Sequence, residues 1–286
     1  ATDATYPGYP YITVYHNPVS IHVQYACIVL EELNVPYKKE HTELPFDNLK
    51  PEFARINPKM GLPALVTKLA EGKPETLTDS RDIINWCRTL PGGERMHPAG
   101  KDAEIAAILD EVYGCNGGQL SFQAYMRYSA LFDNALALLG KIRTRRVKGL
   151  LEDHRGTDLE QDYVDCLARI EKPGPSYPDL LEACKANILS FDRRLEASSG
   201  EWLTGDEFTA ADAVVAVWLQ WVTWSKSGVP LTPRLTQFLE KAQKRPSWTR
   251  LDPGFAPEWI LTRLQVATGV LTLFPAMAAV AAIALV

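Results

Sequence analysis

Ser20 is the first residue in this sequence placed to do chemistry. Before it, Ile12 and Val14 alternate with polar neighbours as a strand does, and Asn17-Pro18 is a turn signal. After it, Val23, Ala26, Cys27, Leu30 and Leu33 fall on one face of a 3.6-residue repeat, which predicts an amphipathic helix. Ser20 therefore stands where the helix begins. Unpaired N–H groups and the helix dipole favour an anion there. A hydroxyl at that position can donate a hydrogen bond to a thiolate. The same residue type is equally suited to a purely structural task, capping the helix.

The elements that must position Ser20 follow in order. The alternating pattern around Ile12 and Val14, from Tyr11, predicts a short strand and Val23 to Leu33 a helix, with a second strand over Val35 to His41. A short helix is expected over Pro51–Ile56, strands over Pro63–Val66 and Thr76–Thr78, and a helix from Thr78-Asp79-Ser80 to about Leu90. That order makes a small α/β domain over residues 11–90, preceded by a Pro/Gly/Thr-rich arm at 1–10 and closed by a linker at 91–100.

Residues 101–250 read as all-helical. Helices are expected over Ala103–Val112, Gln119–Leu151, Leu180–Leu195, Ala213–Trp224 and Leu235–Lys244, with Gly114 to Gly118 interrupting the first two and 152–178 partly helical. Thr209 and Asp212 have capping-box spacing, with Asp for the usual Glu. The Ala213–Trp224 stretch is almost wholly apolar and should be the centre of this domain. Lys141, Arg143, Arg145, Arg146 and Lys148 form a basic run that suits either an anionic surface or a solvated helix face.

Bulk properties exclude several classes. A net charge of −5 over 286 residues offers nucleic acid no basic footprint. The five cysteines are odd in number and lack CxxC spacing, which argues against a disulfide framework or a zinc site and for a reducing compartment. No signal-peptide pattern is visible, and a first residue of Ala1 implies either a trimmed methionine or a removed targeting segment. Beyond a juxtamembrane stretch at 251–263, residues 264–286 give about 23 positions without a charge, enough to cross a bilayer. Trp259 and Arg263 stand where interfacial anchors belong. Positive charge precedes this span and none follows it, which expects the globular part on the cytosolic, matrix or stromal side of a membrane.

Taken together, the strand-turn-Ser20-helix unit, Asn57-Pro58-Lys59-Met60-Gly61-Leu62-Pro63-Ala64-Leu65, Leu77-Thr78-Asp79-Ser80 and Phe208-Thr209-Ala210-Ala211-Asp212 resemble the glutathione transferase superfamily. Within it, the HNPVSIHVQ turn, the charged segment around 141–178, Lys244-Arg245-Pro246-Ser247 and the apolar tail resemble two groups. These are the tail-anchored ganglioside-induced differentiation-associated proteins and the tetrachlorohydroquinone-dehalogenase-like transferases.

The resemblance implies a thioredoxin-like N-terminal domain, an all-α C-terminal domain and one C-terminal transmembrane helix. It makes glutathione the co-substrate, with no metal. It makes Ser20 the residue that activates the thiol, Leu62 and a cis Pro63 the pair that holds the cysteinyl backbone, and Asp79 and Ser80 the partners of the γ-glutamyl group. Many serine-type members carry a lysine two residues before the proline, near the glycyl carboxylate. Here that position is Gly61, and Lys59 is close but not equivalent. His22, beside Ser20, could tune a thiol, but an exposed and uninvolved histidine is the expectation.

Two functions follow. One is a membrane-anchored glutathione transferase that adds the glutathione thiol to an electrophile. The other is a non-catalytic accessory subunit that uses the same fold to dock in an organellar membrane complex, mitochondrial or plastid, with lipid and other membrane subunits as partners through 264–286. A thioredoxin-type oxidoreductase is excluded because Ser20-Ile21-His22-Val23 holds no cysteine.

Overall fold

The structure, a computed structural model, describes residues 8–9, 11–68, 74–128, 130–225 and 227–251. The 264–286 span and most of the 1–10 arm lie outside these residues. Among the described residues no helix is long and apolar enough to cross a membrane.

The N-terminal part runs β1 (Tyr11–His16), α1 (Ile21–Glu32), β2 (Lys38–His41), α2 (Pro51–Ile56), β3 (Ala64–Lys68), β4 (Pro74–Leu77) and α3 (Ser80–Trp86). The strands form one four-stranded sheet in the order β2-β1-β3-β4, with β1 parallel to β2 and antiparallel to β3. Register pairs His16 with His41, Tyr15 with Ala64 and Leu65 with Leu77. The end of β1, the start of β3 and the end of β4 therefore meet at one edge of the sheet. The turns that carry Ser20, Pro63 and Asp79 leave from that edge.

The helical part runs α4 (Asp102–Gly114), α5 (Gly117–Tyr128), α6 (Ala130–Asp153), α7 (Glu160–Glu171), α8 (Tyr177–Ala197), α9 (Ala210–Trp224), α10 (Pro233–Gln243) and α11 (Pro246–Arg250). Residues 117–128 and 130–153 are helical, as expected for the 119–151 span, and α7 lies within the segment read as only partly helical. As expected, α9 is the buried centre: every residue from Ala210 to Leu219 is buried. Each large apolar side chain removed from water there contributes about 1.5–3 kcal/mol. Its capping box forms. Asp212 accepts from the Thr209 N–H and hydroxyl at 2.8 Å and from the Leu203 N–H at 2.8 Å.

One expectation needs correction. The sequence pattern gives α1 a single apolar face, but Ile21 and every residue from Val23 to Leu30 are buried. The sheet covers one side and α9 covers the other, so the face left to solvent by the helical repeat is an interdomain contact. Gln24 bridges that contact: its side-chain amide donates to the Pro18 carbonyl at 2.7 Å and its oxygen accepts from the Trp221 indole.

The glycines of Gly114-Cys115-Asn116-Gly117-Gly118 also find their reason here. A Cβ on Gly117 would lie 2.9 Å from Trp218 and 3.2 Å from Ile21, and one on Gly118 3.1 Å from Ile21. Only bare backbone lets the start of α5 press against the start of α1. A second, smaller core joins α6 and α7 to the N-terminal part. It packs Val147, Leu159, Tyr163 and Cys166 against Leu49, Ala54 and Met60.

Candidate functional site

Ser20 is the N-cap of α1, with an extended backbone, and its oxygen accepts from the Val23 N–H at 3.4 Å. That bond uses a lone pair and leaves the hydroxyl proton for another acceptor. The turn before it is rigid. Buried Asn17 donates to the Thr42 carbonyl at 3.0 Å and accepts from the Val19 N–H at 3.1 Å, and the Ser20 N–H bonds the Asn17 carbonyl at 3.0 Å.

The Leu62-Pro63 peptide is cis, as the resemblance implies. Leu62 sits just outside the β1–β3 ladder, and among the described residues no group bonds its backbone N–H or carbonyl. An extended peptide laid beside it would find both groups open. The loop in front is tied by Asn57, which is fully buried. Its side chain accepts from the Lys59 N–H at 2.9 Å and donates to the Gly61 carbonyl at 2.8 Å and the Thr78 carbonyl at 3.5 Å. Asn57 thus couples the loop at 59–61 to the residue before Asp79. The Lys59 side chain itself is exposed.

Asp79 is the N-cap of α3, accepting from the Arg81 N–H at 2.9 Å. Ser80 is buried, and its hydroxyl is 2.6 Å from that of Tyr113, which α4 delivers from the helical domain. Burial pushes the Tyr113 phenol well above its ordinary pKa, so it stays protonated and able to donate. Arg81 lies over the Tyr113 ring and pairs with Asp110, also on α4.

His22 is not exposed as expected. It stacks on Tyr113 at 5.7 Å and meets Tyr25 edge-on at 5.6 Å. Burial lowers its pKa and the nearby Asp79 charge partly opposes this, which leaves a neutral imidazole at pH 7. The sequence pattern offers no signal for the Ser80–Tyr113, Gln24–Trp221 or Asn57–Thr78 bonds, because their partners lie far apart in the chain.

The basic run divides. Lys148 pairs with Glu171 at 3.1 Å, Arg146 lies over Phe46, and Lys141 and Arg145 are exposed. Arg143 is half-buried, and its Nε has no partner among the described residues. The five cysteines are buried and none is in a disulfide, and among the described residues no group of His, Cys, Asp and Glu could hold a metal ion.

Residues 14–95 match the glutathione S-transferase N-terminal domain and residues 175–246 match the glutathione S-transferase C-terminal domain. No curated protein matches the chain by sequence. Solved structures share its fold. One is a glutathione transferase family member from Pseudomonas fluorescens with two glutathione bound, at 18% identity and a TM-score of 0.56, covering 87% of this chain and 94% of that one. Another is a glutathione transferase from Burkholderia graminis with two glutathione molecules per subunit, at 21% identity and 0.58, covering 85% and 88%. A third is a delta-class transferase from Nilaparvata lugens, at 16% identity and 0.58, covering 88% and 99%. At such identities the likeness is one of fold: a thioredoxin-like domain with a mixed sheet, then a helical domain.

Proposed function

The chain belongs to the glutathione S-transferase superfamily by both of its domains, and we propose that it binds glutathione and adds its thiol to an electrophile. One observation carries this reading. Ser20, Leu62-Pro63 and Asp79-Ser80 leave the same sheet edge, from three turns each held by its own hydrogen bonds. The residues fit the tripeptide. Leu62 offers backbone groups to the cysteinyl unit. Ser80 offers its proton to the γ-glutamyl carboxylate, while Tyr113 donates to the Ser80 oxygen from behind. Asp79 offers a charge to the ammonium. Ser20, with its proton uncommitted, donates to the sulfur and favours the thiolate, the nucleophilic form.

The test is a glutathione titration beside a conjugation assay, with Ser20→Ala as the variant. Saturable binding with conjugation reduced about tenfold or more is the expected result for that variant. Equal conjugation by both proteins removes the role of Ser20, and no saturable binding removes the enzyme reading.

A second reading, an accessory subunit that uses the fold to dock, is favoured by Gly61, where the cation expected near the glycyl carboxylate is missing. We also place the chain in the tail-anchored, dehalogenase-like branch, held in a mitochondrial or plastid membrane by residues 264–286 with the globular part on the cytosolic, matrix or stromal side. The uncharged run of the sequence supports this. Recovery in gentle detergent as a large assembly supports the subunit reading, and recovery as a lone monomer or homodimer counts against it.

A further inference from the structure

Gly61 offers no cation of its own, but an arginine from elsewhere in the chain reaches its loop. The α6–α7 hairpin lies between the two matched domains, and α7 folds back onto the loop that contains Gly61. Tyr163 of α7 is fully buried and donates to the Leu49 carbonyl at 3.0 Å, and Met60, beside Gly61, is buried in the same small core. This docking holds Arg169 at the loop, where its Nη2 donates to the Lys59 carbonyl at 3.1 Å. An ideal Cβ on Gly61 would lie 4.0 Å from that same oxygen. The guanidinium thus stands one carbonyl away from where a side chain at 61 would begin.

Among the described residues no carboxylate pairs with Arg169. A guanidinium carries five N–H donors in a planar fork suited to a carboxylate, and its bonds to the Lys59 carbonyl and the Cys166 sulfur leave other donors for a ligand. The loop it holds is also the one that Asn57 ties to Thr78 and hence to the Asp79-Ser80 turn. A cation at one end of that framework and Ser80 at the other suit a ligand with a carboxylate at each end.

We propose that Arg169, carried on the α6–α7 hairpin, holds the glycyl carboxylate of glutathione in place of the side chain that Gly61 lacks. The proposal rests on the glutathione reading above and gives the hairpin a part in the site. It also makes glutathione binding depend on an element outside both matched domains.

Glutathione and γ-glutamylcysteine, which lacks the glycine, are titrated into the full chain, Arg169→Gln, and Arg169→Gln combined with Gly61→Lys. The lysine is sterically admissible, because a Cβ at 61 meets only the Lys59 carbonyl, at van der Waals distance. Arg169→Gln should weaken glutathione binding about ten- to a hundredfold while leaving γ-glutamylcysteine nearly unchanged, and Gly61→Lys should recover most of the loss. Retained glutathione affinity in Arg169→Gln overturns the proposal but spares the glutathione reading. Equal loss of both peptides shows a merely structural arginine and also overturns it. Failure of the unaltered chain to bind either peptide overturns both.

Discussion

Single side chains set the chemistry of this site, and several do so from a distance. Tyr113 touches Ser80 from the other domain, so the end of the site proposed for the γ-glutamyl group is completed by the helical part. Removing its hydroxyl leaves Ser80 free to rotate. Tyr113→Phe should weaken glutathione binding about two- to tenfold, the worth of one neutral hydrogen bond, with the melting temperature little changed. A titration beside a thermal scan checks this.

Asp212 makes a pH prediction. Burial pushes its carboxyl up to about 6, against the Leu203 and Thr209 donors, from the ordinary 3.8. The folded state therefore holds the proton more tightly than the unfolded state. The stability this contributes is full below about pH 4 and is lost as pH rises through about 6. Urea midpoints should fall across that window, and Asp212→Asn, which does not titrate, should flatten that fall. An identical slope in the variant would assign the effect to other groups.

Elements meet the site through close approaches. The start of α5 reaches α1 because Gly117 and Gly118 carry no side chain, and Trp218 is fixed against them by its indole bond to the Cys115 carbonyl at 3.2 Å. Gly117→Ala forces a Cβ into the tryptophan ring and should cost about 1–3 kcal/mol, read as a lower urea midpoint. It should also lower conjugation, because Ile21 directly follows Ser20. The sequence shows the glycines, but only packing shows what they admit. The amphipathic reading of α1 fails for the same reason: its periodicity marks the side facing the sheet, while a second buried side faces another domain.

For the whole molecule, the two domains are one framework. Arg245 makes two bonds of 2.7 Å to Glu32, and Arg250 bonds Glu31 at 3.0 Å, so α11 is fastened to the end of α1. Thirteen residues, 251–263, separate that fastening from residues 264–286. If they anchor the chain, the intact protein should stay with membranes through alkaline carbonate extraction, and a chain ending at 251 should be released. Release of both would remove the anchor.

The sequence by itself determined the order of elements, the apolar centre at α9, the Thr209–Asp212 capping box and the short motifs around Ser20, Pro63 and Asp79-Ser80. These depend on residues within a few positions of one another, where periodicity and capping chemistry act. Only the tertiary structure decided that Tyr113 backs Ser80, that His22 is half-buried against Tyr113 and Tyr25, that Gln24 joins α1 to α9 and that Arg169 bonds the Lys59 carbonyl. Arg169 and the Lys59 carbonyl it bonds are 110 positions apart in the chain. No local pattern specifies such a contact, because it is set by how the hairpin's apolar face finds Leu49 and Met60.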